Sequence, residues 1–158
     1  MDPTRRRFLG SMASAAALGS LGAAVRAEEV FEVAHSDDEW LALLGRTRFE
    51  VLRRSATERP YTSRLNDEHR NGVFQCAGCT LPVFSSAVKF DSHTGWPSFW
   101  EPLDNAVGTT ADRSFGMVRN AVHCRRCGGH LGHVFEDGPK PTGLRYCING
   151  LALEFVPA

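Results

Sequence analysis

Five cysteines, four of them in pairs two residues apart, limit what this chain can fold into more than any other feature of its sequence. They fall as Cys76-Ala77-Gly78-Cys79, Cys124-Arg125-Arg126-Cys127 and a lone Cys147. A Cys-x-x-Cys turn presents two thiolates on one side of a tight loop, and two such turns supply the tetrahedral sulfur set of a structural zinc. Gly78 and Gly128 give those turns room. The 44 residues between the pairs exceed the common zinc-ribbon spacing, so the intervening chain must carry the second turn back to the first. Two disulfides are one alternative, although a Cys-x-x-Cys bridge closes a loop too short to constrain much chain. A redox dithiol is another, but neither pair sits in a βαβ pattern. Cys76, Cys79, Cys124 and Cys127 are therefore the expected ligands of one structural Zn2+.

A metal staple suits the size of the chain. Its 158 residues suggest a single domain, and 18 Lys+Arg against 18 Asp+Glu leave no basic excess for nucleic acid. The N-terminus has its own character. Arg5-Arg6-Arg7-Phe8-Leu9 precedes a small-residue apolar run from Ser11 to Val25, and Val25-Arg26-Ala27 has the form of a cleavage site. That order of charged, apolar and cleavable regions reads as an export signal over 1–27, resembling the twin-arginine type, with Gly10 where the pattern prefers Lys. The expectation is a periplasmic protein, or a cytoplasmic one if the start is set too far upstream. Cleavage after Ala27 leaves 14 basic and 17 acidic residues, a net charge of −3 over 131 residues. Nothing in 28–158 approaches the ~18 consecutive apolar residues of a spanning helix, so no membrane association is expected after cleavage.

Residues 28–35 read as a linker and 36–158 as the domain. Ser36-Asp37-Asp38-Glu39 has capping-box spacing, and Thr47-Arg48-Phe49-Glu50 repeats it. Two short helices are expected, at 37–44 and 47–55, with Gly45 ending the first. Beyond Gly72, short apolar segments alternate with Gly, Pro and Asp turns: 72–75, 81–84, 115–118, 120–123, 131–135 and 145–155. No helical period persists there, so the body is an antiparallel β region. The fold class is mainly β, sandwich-like, with short helices at its N-terminal side.

Cys147 lies in Arg145-Tyr146-Cys147-Ile148-Asn149. Strand alternation puts Arg145, Cys147 and Asn149 on one face, where the cation favours a thiolate. A buried, inert cysteine is the competing reading. His130 and His133 can each donate a proton near neutral pH, and equally can be surface residues or lie beside the metal. Trp96, in Gly95-Trp96-Pro97-Ser98-Phe99-Trp100, is either core or the floor of an apolar pocket.

Taken together, several segments resemble the B-type methionine-R-sulfoxide reductases. They are Thr57-Glu58-Arg59-Pro60, Phe84-Ser85-Ser86, Lys89-Phe90-Asp91-Ser92, Gly95 to Phe99, His130 to Phe135, Asp137-Gly138-Pro139 and Arg145 to Asn149. The resemblance spans about 36–156 and includes both cysteine pairs. It implies a pair of antiparallel sheets with N-terminal helices, and reduction of methionine R-sulfoxide within oxidised proteins. It implies that Cys147 is the nucleophile, that His130 and His133 bind and protonate the sulfoxide oxygen, and that Arg145, Asp137 and Asn149 order them. Trp96 then packs on the substrate methyl. Many family members carry a resolving cysteine just before Gly95, where this chain has His93-Thr94. A one-cysteine enzyme is therefore expected, most simply a monomer, reduced by an external thioredoxin-like protein or small thiol. Gly150 stands where the family usually has Ser, and strand parity suggests a bulge there. A zinc-stapled binding module and an exported thiol–disulfide oxidoreductase are the readings in competition with this enzyme.

Overall fold

A computed structural model describes residues 30–158; the signal-like segment 1–27 and the cleavage point after Ala27 lie outside the described residues. The elements run α1 (Asp37–Arg54), β1 (Gly72–Cys76), β2 (Pro82–Ser85), β3 (Lys89–Phe90), β4 (Ser98–Phe99), β5 (Val107–Asp112), β6 (Arg119–Cys124), β7 (His130–Phe135), β8 (Arg145–Ile148) and β9 (Leu153–Pro157). They form a three-stranded sheet, β2-β1-β9, and a six-stranded sheet, β3-β4-β8-β7-β6-β5, antiparallel throughout. Among the described residues no helix is long and apolar enough to cross a membrane.

Helix α1 begins at the expected box: the Ser36 hydroxyl accepts from the Glu39 N–H, and the Glu39 carboxylate accepts from the Ser36 N–H at 2.8 Å. Gly45, at φ +68° and ψ 163°, leaves the helical region, so the two expected helices are the two arms of one kinked run. Glu50, expected to answer Thr47, pairs with Arg46 at 3.0 Å. Trp40, Phe49, Val51 and Leu52 are buried. A side chain added at Gly129 would stand 2.8 Å from Leu52, so the second arm rests directly on the start of β7. The two sheets meet through aromatic rings. Phe84 of β2 stacks on Phe99 of β4 at 4.4 Å, and Phe74 of β1 meets Phe99 edge-on at 4.9 Å. All three are fully buried, each contributing roughly 1.5–3 kcal/mol by leaving water.

The expected strands need three corrections. Residues 115–118 are not a strand: Ser114–Gly116 is a 3-10 turn, with Gly116 at φ +70°. The neighbouring strand β5 has no counterpart among the expected ones because it is an edge, paired only with β6 and built of Thr, Gly and Ala with little apolar alternation. The run 145–155 is two strands in different sheets, joined by a 3-10 turn at Gly150–Ala152, so Gly150 marks a crossing between sheets and not a bulge. A Cβ at Gly150 would overlap the Ser63 hydroxyl and stand 3.2 Å from Glu58 Oε2. The described part of the expected linker is docked. Val33 donates its N–H to Arg126 O at 3.0 Å, and the Phe31 ring fills the space beside Gly128.

Candidate active site and metal centre

Each cysteine pair closes a hydrogen-bonded turn, with Thr80 N–H donating to Cys76 O at 2.8 Å and Gly128 N–H to Cys124 O at 2.9 Å. One turn follows β1 in the three-stranded sheet and the other joins β6 to β7 in the six-stranded sheet; the packing of the sheets brings the turns together, and the four Sγ atoms lie within 4.8 Å of one another. Cys76 to Cys127 is 3.7 Å and Cys79 to Cys124 is 3.5 Å. Zinc–thiolate bonds of about 2.3 Å in a tetrahedron set sulfur spacings of about 3.8 Å, so the cluster fits that ion. A disulfide needs about 2.05 Å. Without a cation the thiols compete for shared protons: hydrogen bonds with neighbouring sulfurs push Cys76 and Cys127 up and Cys79 down. A divalent metal removes that competition by stabilising every thiolate. Arg126, in the second turn, donates to Cys79 O in the first at 3.2 Å, and Arg53 of α1 donates to Cys127 O at 2.9 Å.

Cys147 is far from an edge. On β8 it lies opposite Ser98 of β4 on one side and His133 of β7 on the other. It opens on a pocket of about 150 Å³ walled by Trp96 and Phe135, with Arg119, His133 and Asn149 supplying polar atoms. Thr94 Oγ1 stands 3.8 Å from its sulfur. The Arg145 charge favours the thiolate, as expected, but it is outweighed. Burial pushes the Cys147 thiol up, and the Thr94 hydrogen bond and the Arg145 charge only partly offset it.

A regular strand would point His130 and His133 to opposite faces, since they are three residues apart. Instead β7 takes two residues where β6 takes one, with Gly132 opposite Val122 and His130 opposite His123. The extra residue is Leu131, and this bulge turns both rings to the same side, 5.3 Å apart. The two then differ. Burial pushes His130 down to about 4, which favours its neutral form at pH 7. It lines an adjoining cavity and not the Cys147 pocket itself. His133 lines both, and its Nε2 lies 2.8 Å from Asp112 Oδ2. Asp112 is held well below the usual carboxylate range by the Ser114 N–H and hydroxyl, then by His133 and Arg119. It is therefore an acceptor, and His133 Nε2 must carry the proton between them.

Asp112 and Arg119, which closes the triad at 2.8 Å, lie outside the expected set. The only local signal is Asp112-Arg113-Ser114, which reads as a turn and forms one: Ser114 N–H donates to Asp112 Oδ1 at 2.9 Å. Of the residues expected to order the histidines, Asn149 holds the bulge between them through Leu131 O, and Arg145 pairs with Asp137. Arg145 and Asp137 form a bidentate pair, 2.8 Å on each arm, with the guanidinium over the Phe135 ring at 4.5 Å. Neither Asp137 nor Arg145 lines the pocket. Asn149 is 4 % exposed; its Nδ2 donates to Leu131 O at 3.1 Å and its Oδ1 accepts from Glu58 N–H at 2.9 Å. Trp96 Nε1 donates to Glu58 O at 2.9 Å.

Residues 44–157 match the SelR domain family. The chain is 52% identical to the peptide methionine sulfoxide reductase MsrB of a Pseudomonas putida strain over 121 residues, 76% of this chain and 91% of that protein. This chain belongs to the MsrB family. It is 52% identical to the MsrB of Thiobacillus denitrificans over 123 residues, covering 77% of this chain and 93% of that one. The MsrB of Methylibium petroleiphilum is 50% identical over 127 residues, 80% of this chain and 92% of the relative. Among solved structures, the Mis18 "Yippee-like" domain gives a TM-score of 0.46 at 23% identity, over 56% of this chain and 98% of that one. MsrB membership makes this chain a peptide methionine sulfoxide reductase, with methionine sulfoxide as substrate and a thiol as reductant.

Proposed function

We infer that this MsrB enzyme reduces the R epimer of protein-bound methionine sulfoxide through Cys147, and so repairs oxidised proteins. The observation carrying this reading is the separation of thiols: four are gathered in one cluster, and Cys147 alone opens on the aromatic-walled pocket beside His133. Trp96 and Phe135 suit the methyl and methylene groups of the substrate, and Arg119, His133 and Asn149 suit its oxygen. The Cys147 sulfur attacks the sulfoxide sulfur while His133, oriented by Asp112, gives a proton to the sulfoxide oxygen; that oxygen then passes to the Cys147 sulfur as the new S–S bond and the substrate's S–O bond break. Methionine is released, and Cys147 is left as the sulfenic acid, having gained the oxygen and lost two electrons. His130, neutral, shapes the wall behind His133.

The sulfenic acid then condenses with an external thiol, thioredoxin-like or small, releasing water and leaving a mixed disulfide. A second thiol attacks that bond and frees Cys147. At the position before Gly95 stands Thr94, which cannot resolve it, and the remaining four cysteines are gathered in their own cluster. Cys76, Cys79, Cys124 and Cys127 would hold Zn2+, whose contribution is folding free energy. The same reading has the chain exported by the twin-arginine route, trimmed after Ala27 and monomeric in the periplasm. Loss of the Arg5-Arg6 pair then abolishes export.

The deciding experiment assays both sulfoxide epimers of a peptide with a dithiol reductant, on the wild type and on Cys147→Ser. Turnover of the R epimer by the wild type alone is expected; activity in Cys147→Ser refutes the nucleophile. Mass spectrometry after one turnover without reductant should find Cys147 as sulfenic acid, and an intramolecular Cys147 disulfide refutes external resolution.

A further inference from the structure

The Thr57-Glu58-Arg59-Pro60 segment lies about ninety positions before Cys147, and the chemistry above gives it no role. Glu58 is nonetheless 9 % exposed, and both halves of its peptide are spent on the pocket. Its N–H donates to Asn149 Oδ1 and its C=O accepts from Trp96 Nε1, each at 2.9 Å. Trp96 and Asn149 both line the pocket with Cys147, and they come from different segments. The chain from 55 to 63 runs outside the sheets, so something must hold this peptide in place. The Glu58 side chain does so. Oε2 accepts from the Leu151 N–H at 3.2 Å, in the turn that immediately follows Asn149, and Oε1 lies 3.5 Å from the Thr62 hydroxyl.

A carboxylate this buried is costly unless its oxygens are satisfied, so its donors are part of the design. Gly150 leaves the space in which the carboxylate reaches Leu151, since a Cβ there would stand 3.2 Å from Oε2. We propose that Glu58 is a positioning residue for sulfoxide reduction: its carboxylate pins the backbone that fixes Trp96 and Asn149 in the lining of the substrate pocket. Glu58 touches neither the substrate nor Cys147. Its loss therefore loosens the fit of the sulfoxide and leaves the reactivity of the thiol alone.

This inference rests on Cys147 being the nucleophile of the pocket, and the test separates the two. Steady-state kinetics on a methionine-sulfoxide peptide are compared for wild type, Glu58→Ala and Glu58→Gln, alongside the rate at which iodoacetamide alkylates Cys147. Glu58→Ala orphans the Leu151 N–H; KM should rise about tenfold with kcat much less affected, and alkylation should stay within about twofold of wild type. Glu58→Gln keeps an acceptor for Leu151 and should restore KM to within about twofold of wild type. A KM unchanged in Glu58→Ala, or a fall in thiol alkylation with KM untouched, overturns the proposal. If Glu58→Ala does not fold, Glu58→Asp, one methylene short of Leu151, is read the same way: a raised KM supports the proposal and an unchanged KM overturns it. Failure of the nucleophile assignment shows separately, as activity surviving in Cys147→Ser.

Discussion

The two thiol centres of this molecule are built in opposite ways. The four-cysteine cluster takes its sulfurs from two short turns, each written in four consecutive residues, and asks of the tertiary fold only that the turns meet. The Cys147 pocket draws on Trp96, Asp112, Arg119, His133 and Asn149, carried on separate strands and loops and tied through Glu58. A centre made of local turns stores its information in spacing and spends its free energy on holding the fold. A centre made of distant parts stores it in hydrogen bonds between segments, and loses function before it loses stability.

The sharpest way to break this comparison is to remove the staple. Chelation of the metal, or Cys76→Ser, should unfold the domain, because structural zinc contributes on the order of 10 kcal/mol, comparable to the whole stability of a domain. Circular dichroism and thermal melting read this directly. A cooperative melt unchanged by chelator would mean that the cluster is not structural.

A smaller loss of stability is expected at the crossing between the sheets. Gly150→Ser drives a side chain into Ser63, and should cost roughly 1–3 kcal/mol by denaturant unfolding. The double variant Gly150→Ser with Ser63→Gly should recover most of that loss, because it removes the two nearest atoms. Additive losses would refute the contact.

In the pocket the loss should be functional. Asp112→Asn weakens the acceptor that orients His133, and kcat/KM should fall about 10- to 100-fold with the melting temperature nearly unchanged. A melting temperature that fell along with activity would mean that the triad is structural, as the cluster is.

The finest test concerns ionisation. Burial raises the Cys147 thiol, so its alkylation rate should go on increasing above the ordinary thiol value of about 8.5. Arg145→Leu removes a charge that opposes burial, and should move the inflection further upward. An inflection that fell in this variant would contradict the cause assigned. The direction follows from the thiolate being the reactive form: whatever raises the pKa shifts reactivity to higher pH.

Much of the architecture is legible in short stretches of the chain. The Ser36–Glu39 box, the break at Gly45 and the antiparallel body all follow from local patterns, and all are present. Strand β5 is not legible, because an edge strand of small and polar residues has no buried face to set a period. Its illegibility hides Asp112 as well, since the residue that orients His133 is the last of that strand. The pairing of His130 with His133 is hidden for a different reason. Their spacing of three suits one face of a helix, and only the bulge at Leu131 places them on one face of a strand.

The sequence alone marked out the two Cys-x-x-Cys turns and the thiol left over, because four residues of chain hold each pair in one tight turn; that the turns meet in one cluster was decided by the fold. It also determined the family, through motifs held in order along the domain. Tertiary structure alone decided how the leftover thiol is tuned and fitted. Glu58 and Asn149 are 91 residues apart, and His133 and Asp112 are 21 apart on strands separated by β6. Covalent geometry says nothing about such pairs; they meet because burying the sheets and their rings in a common core leaves those side chains nowhere else to find partners.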